Sequence, residues 1–115
     1  MTKPVQGEII LVNLNPVKGH EQSGYRPALV VSNTDFNNAS NLIWICPITN
    51  TNRKKPMDIP FKGTKTTGFI LCEHLRAVDL QHRGFNLTGD ILPDETLLQV
   101  TDIIQGAVDV LPKMT

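Results

Sequence analysis

Apolar and polar positions fall in short blocks along this 115-residue chain, and the blocks read as strands until residue 94, where the period changes. Ile9-Ile10-Leu11-Val12 is a continuous apolar run closed by Asn13-Leu14-Asn15-Pro16. It predicts a strand over 7–14 ended by a turn. Val17 to Tyr25 is a polar loop bracketed by glycines, and Arg26 to Ser32 is a second strand with an apolar, mostly β-branched centre. Pro27 pushes Arg26 towards extended backbone and marks where that strand begins. The loop is too short for a crossover helix, so the two strands are expected to be antiparallel neighbours.

Asn33 to Asn41 is a polar connection with room for one helical turn. Leu42 to Ile48 predicts a third strand, broken at Pro47, followed by a polar, cationic loop from Thr49 to Lys55. Met57 to Phe61, interrupted by Pro56 and Pro60, fits only an edge strand. Thr67 to Glu73 is the strongest late strand, and Leu75 to Leu80 is a further short one. From Asp94 the apolar residues Leu97, Val100, Ile104, Ala107, Val108 and Leu111 recur at the three-and-four spacing of one helix face, widened by Leu98 and Ile103. Pro93, Asp94 and Glu95 suit the helix start, Gly106 weakens its interior, and Pro112 lies beyond its end. Short strands followed by one helix give an α+β fold: a small, strongly bent antiparallel β-barrel with a C-terminal α-helix, expected as a single domain over 1–115.

Composition changes this picture little. Hydrophobic content of 40% and charged content of 19% belong to an ordinary globular domain. No apolar run is long enough to span a membrane, and the N-terminus lacks the apolar core of a secretory signal, so a cytoplasmic protein is the expectation. Net charge is zero, but residues 1–83 carry +4 and residues 84–115 carry −4, which is compatible with a local anion-binding surface. Cys46 and Cys72 each lie in an apolar run and read as buried free thiols. Cys72, His74 and His82 lack the usual zinc spacing, and neither a metal nor a cofactor is expected.

The groups left for chemistry are Arg26, His20, Glu21, Thr49 and Glu73, with Arg53, Lys54 and Lys55 close in sequence. There is no nucleophile elbow, phosphate-cradling glycine loop or metal-binding carboxylate cluster. RNA cleavage without a metal needs less, because the substrate brings its own nucleophile, the ribose 2′-hydroxyl. The protein then positions that hydroxyl, moves a proton each way and stabilises charge on the phosphate. An arginine, a hydroxyl and one titratable group suffice, and Arg26, Thr49 and His20 are of those types. Each also has a structural reading: Arg26 as half of an ion pair, His20 as an exposed loop residue, Thr49 as a turn residue bonded to its own backbone, Glu73 as a partner of Arg76 or Arg83. Spacing alone leaves these open.

Gly7-Glu8-Ile9, Asn15-Pro16, Gly19-His20-Glu21-Gln22, Gly24, Arg26-Pro27-Ala28-Leu29-Val30 and Pro47-Ile48-Thr49 occur in order. Phe36-Asn37, Gly68 and the Arg76–Asp79 stretch extend the series. Together they resemble the MazF/PemK toxins of type II toxin–antitoxin systems. The resemblance implies an SH3-like barrel of the MazF/CcdB type, a homodimer, and growth inhibition by metal-independent, sequence-specific cleavage of single-stranded RNA such as mRNA. The implied products are a 2′,3′-cyclic phosphate and a 5′-hydroxyl. The implied partner is a cognate antitoxin with an acidic, flexible tail.

Carried over by position, the resemblance gives Arg26, Thr49 and His20 as catalytic residues. It gives Glu21, Gln22, Glu73 and His74 as RNA-binding residues, and the cationic loop adds Arg53 and Lys54. One position departs: where plasmid PemK-type relatives have an arginine two before an acid on the late strand, this chain has Leu71 before Glu73. Two other readings remain at this stage. One is a CcdB-like toxin that poisons a protein such as DNA gyrase without cutting RNA; the other is a catalytically silent barrel.

Overall fold

A computed structural model describes residues 3–14 and 24–113. The sheet contains seven strands: β1 (Glu8–Asn13), β2 (Tyr25–Val30), β3 (Ile43–Thr49), β4 (Asp58–Lys62), β5 (Thr67–Leu71), β6 (Arg76–Val78) and β7 (Phe85–Ile91). Their order is β4-β5-β3-β2-β1-β7, with β6 paired to β3 beside β5. Every pairing is antiparallel. Among the described residues three α-helices complete the fold: α1 (Thr34–Ala39), α2 (Leu80–Arg83) and the long α3 (Asp94–Val108).

Alternation along β1–β3 sends successive side chains to opposite faces, and both faces are covered. One face joins Ile9, Leu29, Cys46, Ile48 and Ile70 to Val100 of α3, forming the curled interior. The other gathers Ile10, Val12, Ala28, Val30, Ile43 and Ile45 under Val78 and Leu80. This double burial explains why the first strand reads as an unbroken apolar run.

The strongly bent antiparallel sheet with its C-terminal helix is the architecture expected. Several details differ. Pro47 does not break β3, which runs through it to Thr49. Val31 N donates to Trp44 O, so alternation along the β2–β3 ladder leaves Pro47 at a non-hydrogen-bonded position against Ala28. Its missing N–H therefore falls in the gap between β6, which pairs residues 43–45, and β5, which pairs residues 48–49. β5 stops at Leu71, and Cys72–His74 forms a 3₁₀ turn where a continued strand was expected. β7 was not foreseen: Asn86 and Leu87 are both exposed, and a positive φ at Gly89 disturbs the alternation.

α3 ends at Val108, short of the expected end before Pro112, and its apolar stripe is covered only in part. Val100 is buried and Leu97, Ile103 and Ile104 pack against the interior, whereas Leu98 and Val108, and Leu111 beyond the helix, are exposed.

Candidate functional site

β2 presents Arg26 at its exposed start, opposite Val12 of β1. The β2–β3 ladder is paired at Val30–Ile45, Leu29–Cys46 and Ala28–Pro47. It stops there because Pro27 has no N–H to donate to β3. Extended by two residues, the same register sets Arg26 against Thr49 at a narrow position, where facing side chains come closest. On its other side Thr49 pairs with Phe69 of β5, which pairs with Pro60 of β4. Continued in this way, the register places Val12–Arg26 and Thr49–Phe69–Pro60 in one row across five strands. Two residues further along, Leu71 faces Asp58 on the same side of the sheet.

Arg26 is exposed, and its Nη1 donates to Tyr25 O at 3.2 Å. Thr49 is half-buried, and its Oγ1 accepts from Thr51 N at 3.2 Å. The turn contact expected of Thr49 is therefore present, and it leaves the hydroxyl proton to be donated elsewhere. β5 approaches β3 closely at this point: a Cβ on Gly68 would stand 2.5 Å from Thr49 O and 2.9 Å from Ile48 Cγ2.

A second group of polar side chains gathers around Asp58. Arg53 Nε and Nη2 donate to Asp58 Oδ2 and Oδ1 at 2.8 and 2.7 Å. The same guanidinium stands 3.8 Å from Glu73 Oε1 and 3.4 Å from His74 Nε2. Hydrogen bonding to Arg53 holds the Asp58 carboxyl below the usual carboxylate range and raises Arg53 in turn. One expectation is corrected here. Glu73 meets Arg53, not Arg76 or Arg83, because the β3–β4 loop folds back over the end of β5. Arg53 is tied to a buried carboxylate, while Lys54 and Lys55 are exposed.

Leu71 is itself buried, and Asp58, which it faces, is met by Arg53 from a different segment. Asp58 was not singled out from sequence. Its partner is five residues away in an irregular loop, and no periodicity marks the pair. His20, Glu21 and Gln22 lie outside the described residues.

Cys46 and Cys72 are buried free thiols, pushed up by burial to about 12 and about 11, which makes both poor nucleophiles. Among the described residues, no group of three or more His, Cys, Asp or Glu side chains is placed to hold a metal ion.

A curled antiparallel half-barrel under one C-terminal helix has the architecture of the small barrel toxins. The family described as PemK-like, MazF-like toxin of type II toxin-antitoxin system matches residues 5–108, and the chain belongs to it. The endoribonuclease toxin MazF of Escherichia coli K12 is 30% identical over 95 residues, covering 83% of this chain and 86% of that protein. The crystal structure of MazF from Deinococcus radiodurans matches with a TM-score of 0.77 at 28% identity, covering 91% of this chain and 96% of that one. A MazE–MazF crystal structure from the same organism matches at 0.78 and 25% identity, covering 91% and 95%.

Proposed function

We propose that this chain is the toxin of a type II toxin–antitoxin system and acts as an endoribonuclease on single-stranded RNA. The observation that supports the reading, within a family whose named relatives are endoribonucleases, is the β2–β3 register, which, continued two residues past Ala28–Pro47, sets Arg26 opposite Thr49 at the end of these strands. The 2′-hydroxyl of the substrate attacks the adjacent phosphorus, and the 5′-oxygen leaves, giving a 2′,3′-cyclic phosphate and a 5′-hydroxyl. Arg26 stabilises charge on the phosphate, and the Thr49 hydroxyl donates to a non-bridging oxygen. His20 is assigned proton transfer on the strength of the family resemblance alone. Glu21, Gln22, Arg53, Lys54, Glu73 and His74 are assigned to RNA contact, with no metal required.

The reading extends to one MazF/PemK-like domain over 1–115, a homodimer in the cytoplasm, and a cognate antitoxin whose acidic, flexible tail covers the Arg26 face. The Deinococcus MazE–MazF complex supports an antitoxin partner. A CcdB-like poison is not favoured, since the curated relatives named are endoribonucleases.

The test is incubation of the purified protein with a long single-stranded RNA in excess chelator, followed by mapping of the ends. Cuts at a repeated short motif with cyclic phosphate ends, lost in Arg26→Ala, are expected. An Arg26→Ala protein that cuts at the wild-type rate removes the assignment of that residue.

A further inference from the structure

The Arg53–Asp58–Glu73–His74 group has an electrostatic character different from that of the Arg26 edge. Asp58 is charged yet its side chain is only 2% exposed, and both its oxygens are taken by one guanidinium. A buried carboxylate of this kind contributes little net stability, because desolvation offsets most of the attraction. What it fixes is geometry: Arg53 cannot swing. Glu73 sits on the 3₁₀ turn anchored by buried Cys72, with its side chain 44% exposed and held by Arg53 only at 3.8 Å. His74 is exposed beside it, and since a guanidinium only donates, His74 Nε2 faces Arg53 as an acceptor. Two carboxylates against one guanidinium make the group a poor seat for phosphate and a good acceptor of N–H donors.

We infer that Glu73 reads one unstacked base of bound RNA by accepting its exocyclic amino group, and that Asp58 is the positioning residue that keeps Glu73 open. The inference rests on the ribonuclease reading for its substrate. Single-stranded RNA exposes base edges to such contacts. Adenine, cytosine and guanine each offer an amino group. Uracil offers only N3–H, flanked by two carbonyl oxygens that a carboxylate repels. Without the fork to Asp58, Arg53 closes onto Glu73 and occupies the oxygens that read the base.

The experiment measures binding by fluorescence anisotropy, using a short oligonucleotide that spans the mapped cut motif with 2′-O-methyl at the cut position. Each amino-bearing base is replaced in turn by uracil. At one position other than the cut site, the replacement should weaken wild-type binding roughly tenfold or more, as loss of a base-specific contact does. Glu73→Ala should bind both oligonucleotides alike. Glu73→Gln, whose amide also donates, should tolerate uracil. Asp58→Asn should lose the discrimination while still cutting the all-amino motif in an Arg26-dependent way; if that variant does not fold, Asp58→Ser, which also removes the carboxylate that holds Arg53, replaces it.

A wild-type protein indifferent to uracil everywhere, or a penalty that survives in Glu73→Ala, overturns the base-reading role. Wild-type discrimination in a folded Asp58→Asn protein overturns the positioning role. If the wild-type protein cuts no RNA, the ribonuclease reading falls separately. Selection from a random 2′-O-methyl pool then decides the inference alone: depletion of uracil at one position, abolished by Glu73→Ala, supports it, and its absence overturns it.

Discussion

Thr49 depends on a residue that carries no chemistry. Gly68 leaves the space that Thr49 O and Ile48 Cγ2 occupy, and a methyl group there would meet both within 3 Å. Because the obstacle is partly backbone, it cannot move aside as a flexible side chain would. Gly68→Ala is expected to destabilise the fold by about 1–3 kcal/mol, as overpacking generally does. It should also lower RNA cleavage beyond the loss of folded protein, because Thr49 is displaced. Denaturant unfolding paired with cleavage by the folded fraction separates the two effects, and a stable, fully active variant would contradict the close approach. At this scale the sequence was partly legible. Arg26 and Thr49 stood out from their neighbours, Pro27 and Pro47, which punctuate the strands that carry them. Asp58 was illegible, because its role comes from a partner that only the β3–β4 loop brings to it.

Elements are tied to one another by a few polar contacts. Asp90 of β7 accepts from Thr64 N, Thr64 Oγ1, Lys65 N and Thr66 N, holding the β4–β5 turn against the other end of the sheet. The side chain of Thr64, followed by the backbone donors, lowers the Asp90 carboxyl below its usual value of 3.8. A lowered folded value means that the stabilisation is present above the unfolded pKa and is lost as pH falls through the folded one. Urea unfolding followed downward from about pH 6 should therefore show stability falling more steeply below about pH 4 in the wild type than in Asp90→Asn. Equal acid slopes would remove Asp90 from the account.

In α3, a Cβ on Gly106 would meet nothing within 4 Å. Gly106→Ala should raise stability by up to about 1 kcal/mol through helix propensity alone, read as a higher melting temperature. The helix itself was legible from its period. Which of its apolar side chains are covered was not, since that depends on how the helix lies on the sheet.

Over the whole molecule, Leu87, Ile91, Leu98, Val108, Val110 and Leu111 are large apolar side chains left exposed, on β7, α3 and the segment that follows. A contiguous apolar patch marks an interface, and the proposed homodimer would cover these side chains. Light scattering should give twice the chain mass. Ile91→Asp, at a position 65% exposed, should yield a folded monomer. A wild-type monomer at micromolar concentration would place some other partner on this face.

By itself the sequence determined the α+β class, the antiparallel first hairpin, the C-terminal helix, the buried thiols and the candidacy of Arg26 and Thr49. All of these rest on local signals: side-chain period, proline and glycine punctuation, and short ordered motifs. Tertiary structure alone decided that β3 passes through Pro47 and that β7 closes the far edge of the sheet. It also decided that Leu71 faces a carboxylate and that Arg53 reaches Glu73 from another loop. These depend on register between distant strands, and register is set by how the two apolar faces are buried together, which no single stretch of the chain encodes.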